Sequence, residues 1–312
     1  MCCSTLEGVT RLWWLPPLAL ALLLGGDTAS GRPQWLPVLS AAAPLAFSLL
    51  LLCAGGLLSG LLAGLLGIGG ALVTLPVLHL ALPRLGIDAA LVPATAVATA
   101  LMAMVPITLM AAWRQWRHGA IETGWLRRMA GPMAVGAACG ALFATALNGP
   151  VLALLFALQS CWYGARLLSN RCGVDARAQL PSVWQRFAQL PPWLAAPPMA
   201  AFCACVGMGG GSIVTPFLLR RQVSFRHAVA TSGALNLCIA LAGSAAFALS
   251  SAGTNSAAAC VPAAMLLAGG AIGSVTFGVS LAHRLPAVAL QRLVGIVNVV
   301  SAASLLVQLA LH

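Results

Sequence analysis

Two stretches of this 312-residue chain interrupt an apolar segment with glycines and follow the interruption with a proline. The first reads Gly67-Ile68-Gly69-Gly70 and runs on to Pro76; the second reads Gly207-Met208-Gly209-Gly210-Gly211-Ser212 and runs on to Pro216. In both, the proline stands nine residues after the first glycine, and the two copies begin 140 residues apart. Glycine loosens the backbone, and hydrocarbon offers no hydrogen bonds to the N–H and C=O groups so released. A break of this kind survives in a bilayer only inside protein or beside a water-filled cavity. Duplicated at matching places in two halves of a chain, it is the sequence pointer to a carrier's binding site.

The membrane setting is forced independently. Hydrophobic residues make up 61% of the chain and charged ones 7%, and mean hydropathy is +0.97. Soluble domains are about 25% charged, so this chain lacks the means to build a water-compatible surface. Its net charge of +11 comes from 16 basic residues, all arginine, against five acids: Glu7, Asp27, Asp88, Glu122 and Asp175. The arginines are divided among short polar segments rather than massed on one face, which fits lipid headgroups and topology and argues against nucleic acid as a partner. The ten cysteines show no CxxC and no paired Cys/His spacing, so neither a metal site nor a cofactor is expected. Cys203 and Cys205 precede the second break and read as small packing residues rather than as a thiol relay.

Apolar stretches near the 20 residues a helix needs to cross a bilayer occur at 42–66, 90–112, 129–147, 150–168, 193–218, 228–250, 259–281 and 288–311. The expected fold class is therefore all-α: a polytopic membrane protein with about eight transmembrane helices in two homologous halves. The expected organisation is an N-terminal extension 1–41, a first repeat 42–169, a polar linker 170–192 and a second repeat 193–312. Residues 71–82 form a further short half-helix. The extension has Arg11, a short apolar run and then Asp27-Thr28-Ala29-Ser30; it reads equally as a signal-like segment, a short extra span or an over-extended start. Glycines at 56, 60 and 64, and at 269, 273 and 278, supply faces for close helix packing.

Two polar segments bear on orientation. Segment 113–128 carries Arg114, Arg117, Arg127 and Arg128 with Trp113, Trp116 and Trp125; segment 169–192 carries Arg171, Arg177 and Arg186. With eight spans both fall on one side, favoured as cytoplasmic, opposite Arg84, Arg220, Arg221, Arg226 and Arg284.

Beyond each proline lies a small hydroxyl-bearing segment: Pro93-Ala94-Thr95-Ala96, and Val229-Ala230-Thr231-Ser232. Hydroxyls can replace hydration around a ligand in a narrow passage, or bond back to their own helix. No Asp, Glu or Lys lies inside any of the eight spans. An intramembrane carboxylate is the usual mark of a cation site or proton relay, so a cation pump is disfavoured. Exposed N–H groups at a break and the start of a helix favour an anion. The expected site comprises Gly67, Gly69, Gly70, Thr95, Gly207, Gly209, Gly210, Gly211, Ser212, Thr231 and Ser232, with no catalytic or metal-binding residue.

Taken in order, Gly67, Gly69, Gly70 and Pro76, then Gly207, Gly209, Gly210, Gly211 and Pro216, then Ala230-Thr231-Ser232 and the Gly269–Gly273 run, the chain resembles the TauE/SafE family of membrane exporters. The resemblance covers residues 45–311. It departs at Ala71, where the family commonly has a third glycine, and at Ala96, the counterpart of Ser232. The resemblance implies multi-pass residence in a cell membrane, the inner membrane in a bacterium, and export of a small sulfur-containing anion such as sulfite or an organosulfonate. An inside-negative potential drives an anion outward by about 2.3 kcal/mol per charge per 100 mV, so efflux needs no coupling ion on this reading.

Three rivals remain. A passive anion channel would use the same broken helices. A membrane assembly protein would use the packing glycines but has no need of the duplicated break. An intramembrane serine–histidine enzyme built on Ser212 and His227 lacks a glycine directly after the serine, where Ile213 stands. The chain is read as no enzyme.

Overall fold

The computed structural model describes residues 35–66, 70–88, 91–168, 190–282 and 287–311. Two compact units are distinguished, 1–48 and 49–312, and every contact described below lies within the second. The described residues form ten α-helices and no strand: α1 Trp35–Leu66, α2 Ala71–Ala81, α3 Val92–Arg117, α4 Thr123–Ala146, α5 Gly149–Leu168, α6 Pro192–Val206, α7 Gly211–Arg220, α8 Phe225–Leu249, α9 Ser251–Ala282 and α10 Ala287–Leu311. A 3₁₀ turn, Pro83–Leu85, links α2 to α3. The sequence helix, break, short helix, then three longer helices occurs twice.

Among the described residues, five segments are long and apolar enough to cross a bilayer: Ala46–Leu65, Val92–Arg117, Thr123–Ala146, Arg226–Leu249 and Val261–Leu281. Their outer surface is greasy; Leu50, Val135 and Met265 are 69%, 65% and 70% exposed. A water-soluble protein would not present such a belt, whereas lipid accepts it. The chain is a multi-pass membrane protein.

Small residues bring the helices together. Cβ atoms added at Gly56, Gly60 and Gly64 of α1 would overlap the backbone of Leu267, Ala271 and Val275 of α9. Cβ atoms at Gly136 and Gly140 of α4 would likewise overlap Pro197 and Ala201 of α6. Both pairings advance in step, so α1 runs parallel to α9 and α4 parallel to α6. By contrast, Leu101 of α3 meets Gly243 of α8, and Met104 packs with Ala240, so α3 and α8 are antiparallel.

The glycine breaks are reversals of direction. The Thr74 hydroxyl donates to Ser59 Oγ at 3.1 Å, while a Cβ on Gly55 would lie 2.8 Å from Val77. As α2 advances it retraces α1, making an antiparallel hairpin. The second break does the same: the Arg221 guanidinium, just past α7, donates to the carbonyl of Leu190, just before α6. Stretch 193–218, expected as one span, is thus a helix that enters and a helix that returns. Hydropathy cannot separate these cases, because a re-entrant pair is as apolar as a crossing.

That reversal corrects the expected sidedness. Arg221 sits 5.8 Å from the Trp125 ring centroid and 5.4 Å from that of Phe217, and the Glu122 N–H donates to Thr231 Oγ1 at 3.0 Å. Arg220, Arg221 and Arg226 therefore lie at the same end as the α3–α4 connection, not opposite it. Segment 113–128 is itself mostly helical: α3 continues to Arg117 and α4 begins at Thr123. Arg114 and Arg117 lie 5.5 and 4.9 Å from the Trp113 ring, and such side chains favour helix while ending hydrocarbon. Hairpin α1–α2 enters from the α2–α3 end of the bundle and hairpin α6–α7 from the α3–α4 end.

Candidate functional site

The tips of the two hairpins both pack against α3 and α8. Ala71, the first residue of α2, packs with Met104 of α3 and Ala240 of α8. Gly207, at the second tip, faces Val97 of α3, with an added Cβ 3.2 Å from both its methyl groups. Gly210 faces Asn236 and Ile239 of α8. Val97 and Met104 are two turns apart, about 10 Å along the helix at 1.5 Å per residue. Residues 203–215 are buried throughout, which is the setting irregular backbone requires inside a membrane.

At the second break, Gly207 adopts φ 73° and closes α6. The N–H of Met208 reaches the Cys203 carbonyl at 2.8 Å and that of Gly207 the Ala204 carbonyl at 3.2 Å, a Schellman ending that needs a left-handed residue. The Gly210 N–H donates to Asn236 Oδ1. The Gly210 carbonyl receives the N–H groups of Ile213 and Val214 at 3.0 and 2.6 Å. Among the described residues, no carbonyl or side chain takes up the N–H groups of Gly209, Gly211 or Ser212. The Ser212 hydroxyl, on a residue 2% exposed, is likewise buried without a hydrogen-bond partner. Four donors and the positive end of the α7 dipole therefore occupy one buried turn.

The first break is closed differently. Gly67 and Gly69 lie outside the described residues. Gly70 takes φ 75°, and its carbonyl receives the N–H groups of Val73 and Thr74 at 3.2 and 3.3 Å and the Thr74 hydroxyl at 3.2 Å. Thr74 also bonds Ser59, so this break is tied to its own hairpin. Position 71, glycine at the equivalent Gly211, carries a fully buried methyl group.

The remaining expected residues are distributed unevenly. Ser232 is bonded to Thr215 at 2.8 Å and to the Val229 carbonyl at 2.9 Å, one turn from the Gly210–Asn236 contact. Thr231 turns toward α4 and holds the Glu122 N–H. Thr95 is buried in the first turn of α3, where its carbonyl accepts the Thr99 hydroxyl at 2.7 Å. His227 approaches Glu122 at 3.6 Å, and the Ser212 hydroxyl has no hydrogen-bond partner, so Ser212 and His227 are not hydrogen-bonded to each other. Sequence reasoning passes over Asn236, Ser59, Thr74 and Thr215. Asn236 had a signal: an amide one turn beyond Ser232 within an otherwise apolar span.

An all-helical bundle with an apolar belt, two opposed re-entrant hairpins and buried open donors at a hairpin tip is a membrane transporter architecture. A family profile described as "Sulfite exporter TauE/SafE" matches residues 51–305, and the chain belongs to that family. It is 26% identical over 207 residues to a Haemophilus influenzae protein named "Probable membrane transporter protein", an overlap covering 65% of this chain and 75% of that one. No solved structure matches the chain.

Proposed function

We propose that this transporter exports a small oxyanion, sulfite or an organosulfonate, by alternating access around the meeting point of the two hairpin tips. The observation that carries the reading is the cluster of open donors at Gly209, Gly211 and Ser212, with the unpartnered Ser212 hydroxyl. A tetrahedral or pyramidal oxyanion satisfies such donors, and a cation would be repelled by them. Both acids among the described residues, Asp88 and Glu122, lie in connections between helices rather than beside the break. Binding by dipoles and hydroxyls without a full counter-charge is weak, which suits a protein that must release its cargo.

The two halves, 42–169 and 193–312, act as inverted repeats on this reading: their hairpins enter from opposite ends, and each half's hairpin packs on the fourth helix of the other. Arginine sets the orientation. Apart from Arg84, every arginine in the described helices and turns lies toward the α3–α4 end: Arg114, Arg117, Arg127, Arg128, Arg166, Arg220, Arg221, Arg226 and Arg292. The positive-inside rule places that end in the cytoplasm, so the second hairpin opens inward and the first outward.

Ser212→Ala tests the reading. It removes one donor from the tip without breaking a hydrogen bond, so the half-saturating concentration of sulfite or methanesulfonate rises several-fold while expression and melting temperature hold. Unchanged half-saturation would refute this placement of the site.

A further inference from the structure

We propose that His79 is a proton-binding site on the external approach to the second break, and that its protonation favours the anion. This rests on the anion-transport reading above. His79 ends the first hairpin's return helix, α2. Its Nδ1 lies 2.9 Å from the Leu75 carbonyl; a carbonyl only accepts, so Nδ1 carries the hydrogen. In the neutral ring Nε2 is then a bare acceptor, and it is buried with no hydrogen-bond partner.

A cavity lies against this helix, lined by Leu75 and His79 of α2, Pro93 and Val97 of α3, Leu152 and Phe156 of α5, and Val206 of α6. Its wall adjoins the second tip: Val206 directly precedes Gly207, and Val97 is the residue Gly207 faces. The space is about 10 Å³, enough for one water molecule and too little for a sulfonate. A single water in this space could bond the bare His79 Nε2, whereas the anion does not fit here in this conformation.

Among the described residues, no charged side chain lines the cavity to compete for that role. Of the elements packed on α2, α1 carries Cys53 and no charged residue among its described side chains, α3 has its arginines at its far end, Arg114 and Arg117, and α10 has Arg292, which is exposed. Arg84 and Asp88 belong to the exposed α2–α3 connection, and Arg84 turns back on the Leu80 carbonyl. On α5, Cys161, Tyr163 and Arg166 follow the cavity residues by at least five positions; on α6 the thiols of Cys203 and Cys205 precede Val206. Among the described lining residues, a proton on Nε2 would be the sole full charge. In an apolar wall an isolated cation or an isolated anion is disfavoured and the two together are not. Proton and anion binding are thereby coupled, and the coupling is reciprocal.

The test uses the full chain in lipid nanodiscs and in proteoliposomes, with methanesulfonate, whose charge is fixed across the range studied. Imidazole NMR of labelled histidine, with His79→Gln identifying the resonance, should show His79 titrating, with a higher midpoint when methanesulfonate is added. Methanesulfonate half-saturation should be several-fold lower at the acid end, and His79→Gln should flatten that dependence while melting as the wild type does. A His79 resonance that does not titrate, or that titrates without responding to methanesulfonate, overturns the proposal. So does a His79→Gln protein that keeps the wild-type pH profile. Wild-type protein that moves no sulfonate at any pH refutes the anion reading instead, and the titration alone then decides whether His79 takes a proton.

Discussion

Replacing Gly210 by alanine asks what a glycine at a hairpin tip is for. Gly210 has φ −63°, a value any residue adopts, so backbone conformation is not the reason for glycine here; space is. An added Cβ would lie 2.9 Å from Ile239 Cδ1, 3.0 Å from Asn236 Oδ1 and 3.1 Å from a Val214 methyl. The isoleucine tip can swing aside. Asn236 cannot move without losing the Gly210 N–H, and a buried amide left unpaired costs about 1–3 kcal/mol. Valine adds overpacking of roughly 1–3 kcal/mol more and should abolish transport while leaving membrane insertion intact. Asn236→Leu breaks the same bond from the other side without crowding, for about 1–3 kcal/mol. Because both changes remove one interaction, the double variant Gly210→Ala/Asn236→Leu should cost less than the sum by about 1–2 kcal/mol. Detergent melting curves measure the cycle, and counterflow measures its effect on transport. Additivity within about 0.5 kcal/mol, the behaviour of independent sites, would refute the claim that Asn236 holds the tip through this amide.

Further outcomes follow from the same contacts. Gly70→Ala combines a left-handed φ, which costs about 1–2 kcal/mol for a residue with a Cβ, with overlap on Ser59, and should lower the melting temperature clearly. Gly86→Ala carries a similar φ of 84° but meets nothing within 4 Å, so it should lose only the conformational part. Thr231→Ala unpairs the Glu122 N–H and should lower stability by roughly 1 kcal/mol, with less effect on half-saturation than Ser212→Ala. Gly60→Leu should drive α1 off α9 and prevent a folded monodisperse protein, as size-exclusion chromatography would show.

Composition made the helical membrane class legible, and the duplicated glycines marked where both helices break, between Leu66 and Ala71 and between Val206 and Gly211, because hydrocarbon punishes loose backbone wherever protein does not cover it. What the sequence hid was direction. Stretch 193–218 is uniformly apolar, and nothing in hydropathy distinguishes continuation from return at Gly207–Gly210; the Arg221–Leu190 contact across the hairpin decides it. Without that reversal, Arg220, Arg221 and Arg226 fall at the wrong end. Pairings between distant segments were equally hidden. Ser232 stands out beside Thr231 as a polar residue, yet its bond is to Thr215, and Thr231 serves the start of α4. His79 reads as an ordinary helix-end histidine until α5 and α6 close a wall around it.

The central claim, that this chain carries a small sulfur oxyanion by alternating access, is tested most directly by counterflow of labelled sulfite or methanesulfonate in proteoliposomes. Saturable uptake, accelerated by the same unlabelled anion inside and absent for Na⁺, K⁺ and amines, is the result expected. Flux that never saturates and ignores the trans anion would make the protein a channel. Movement of Na⁺, K⁺ or an amine, with sulfur oxyanions left behind, would contradict the functional reading outright.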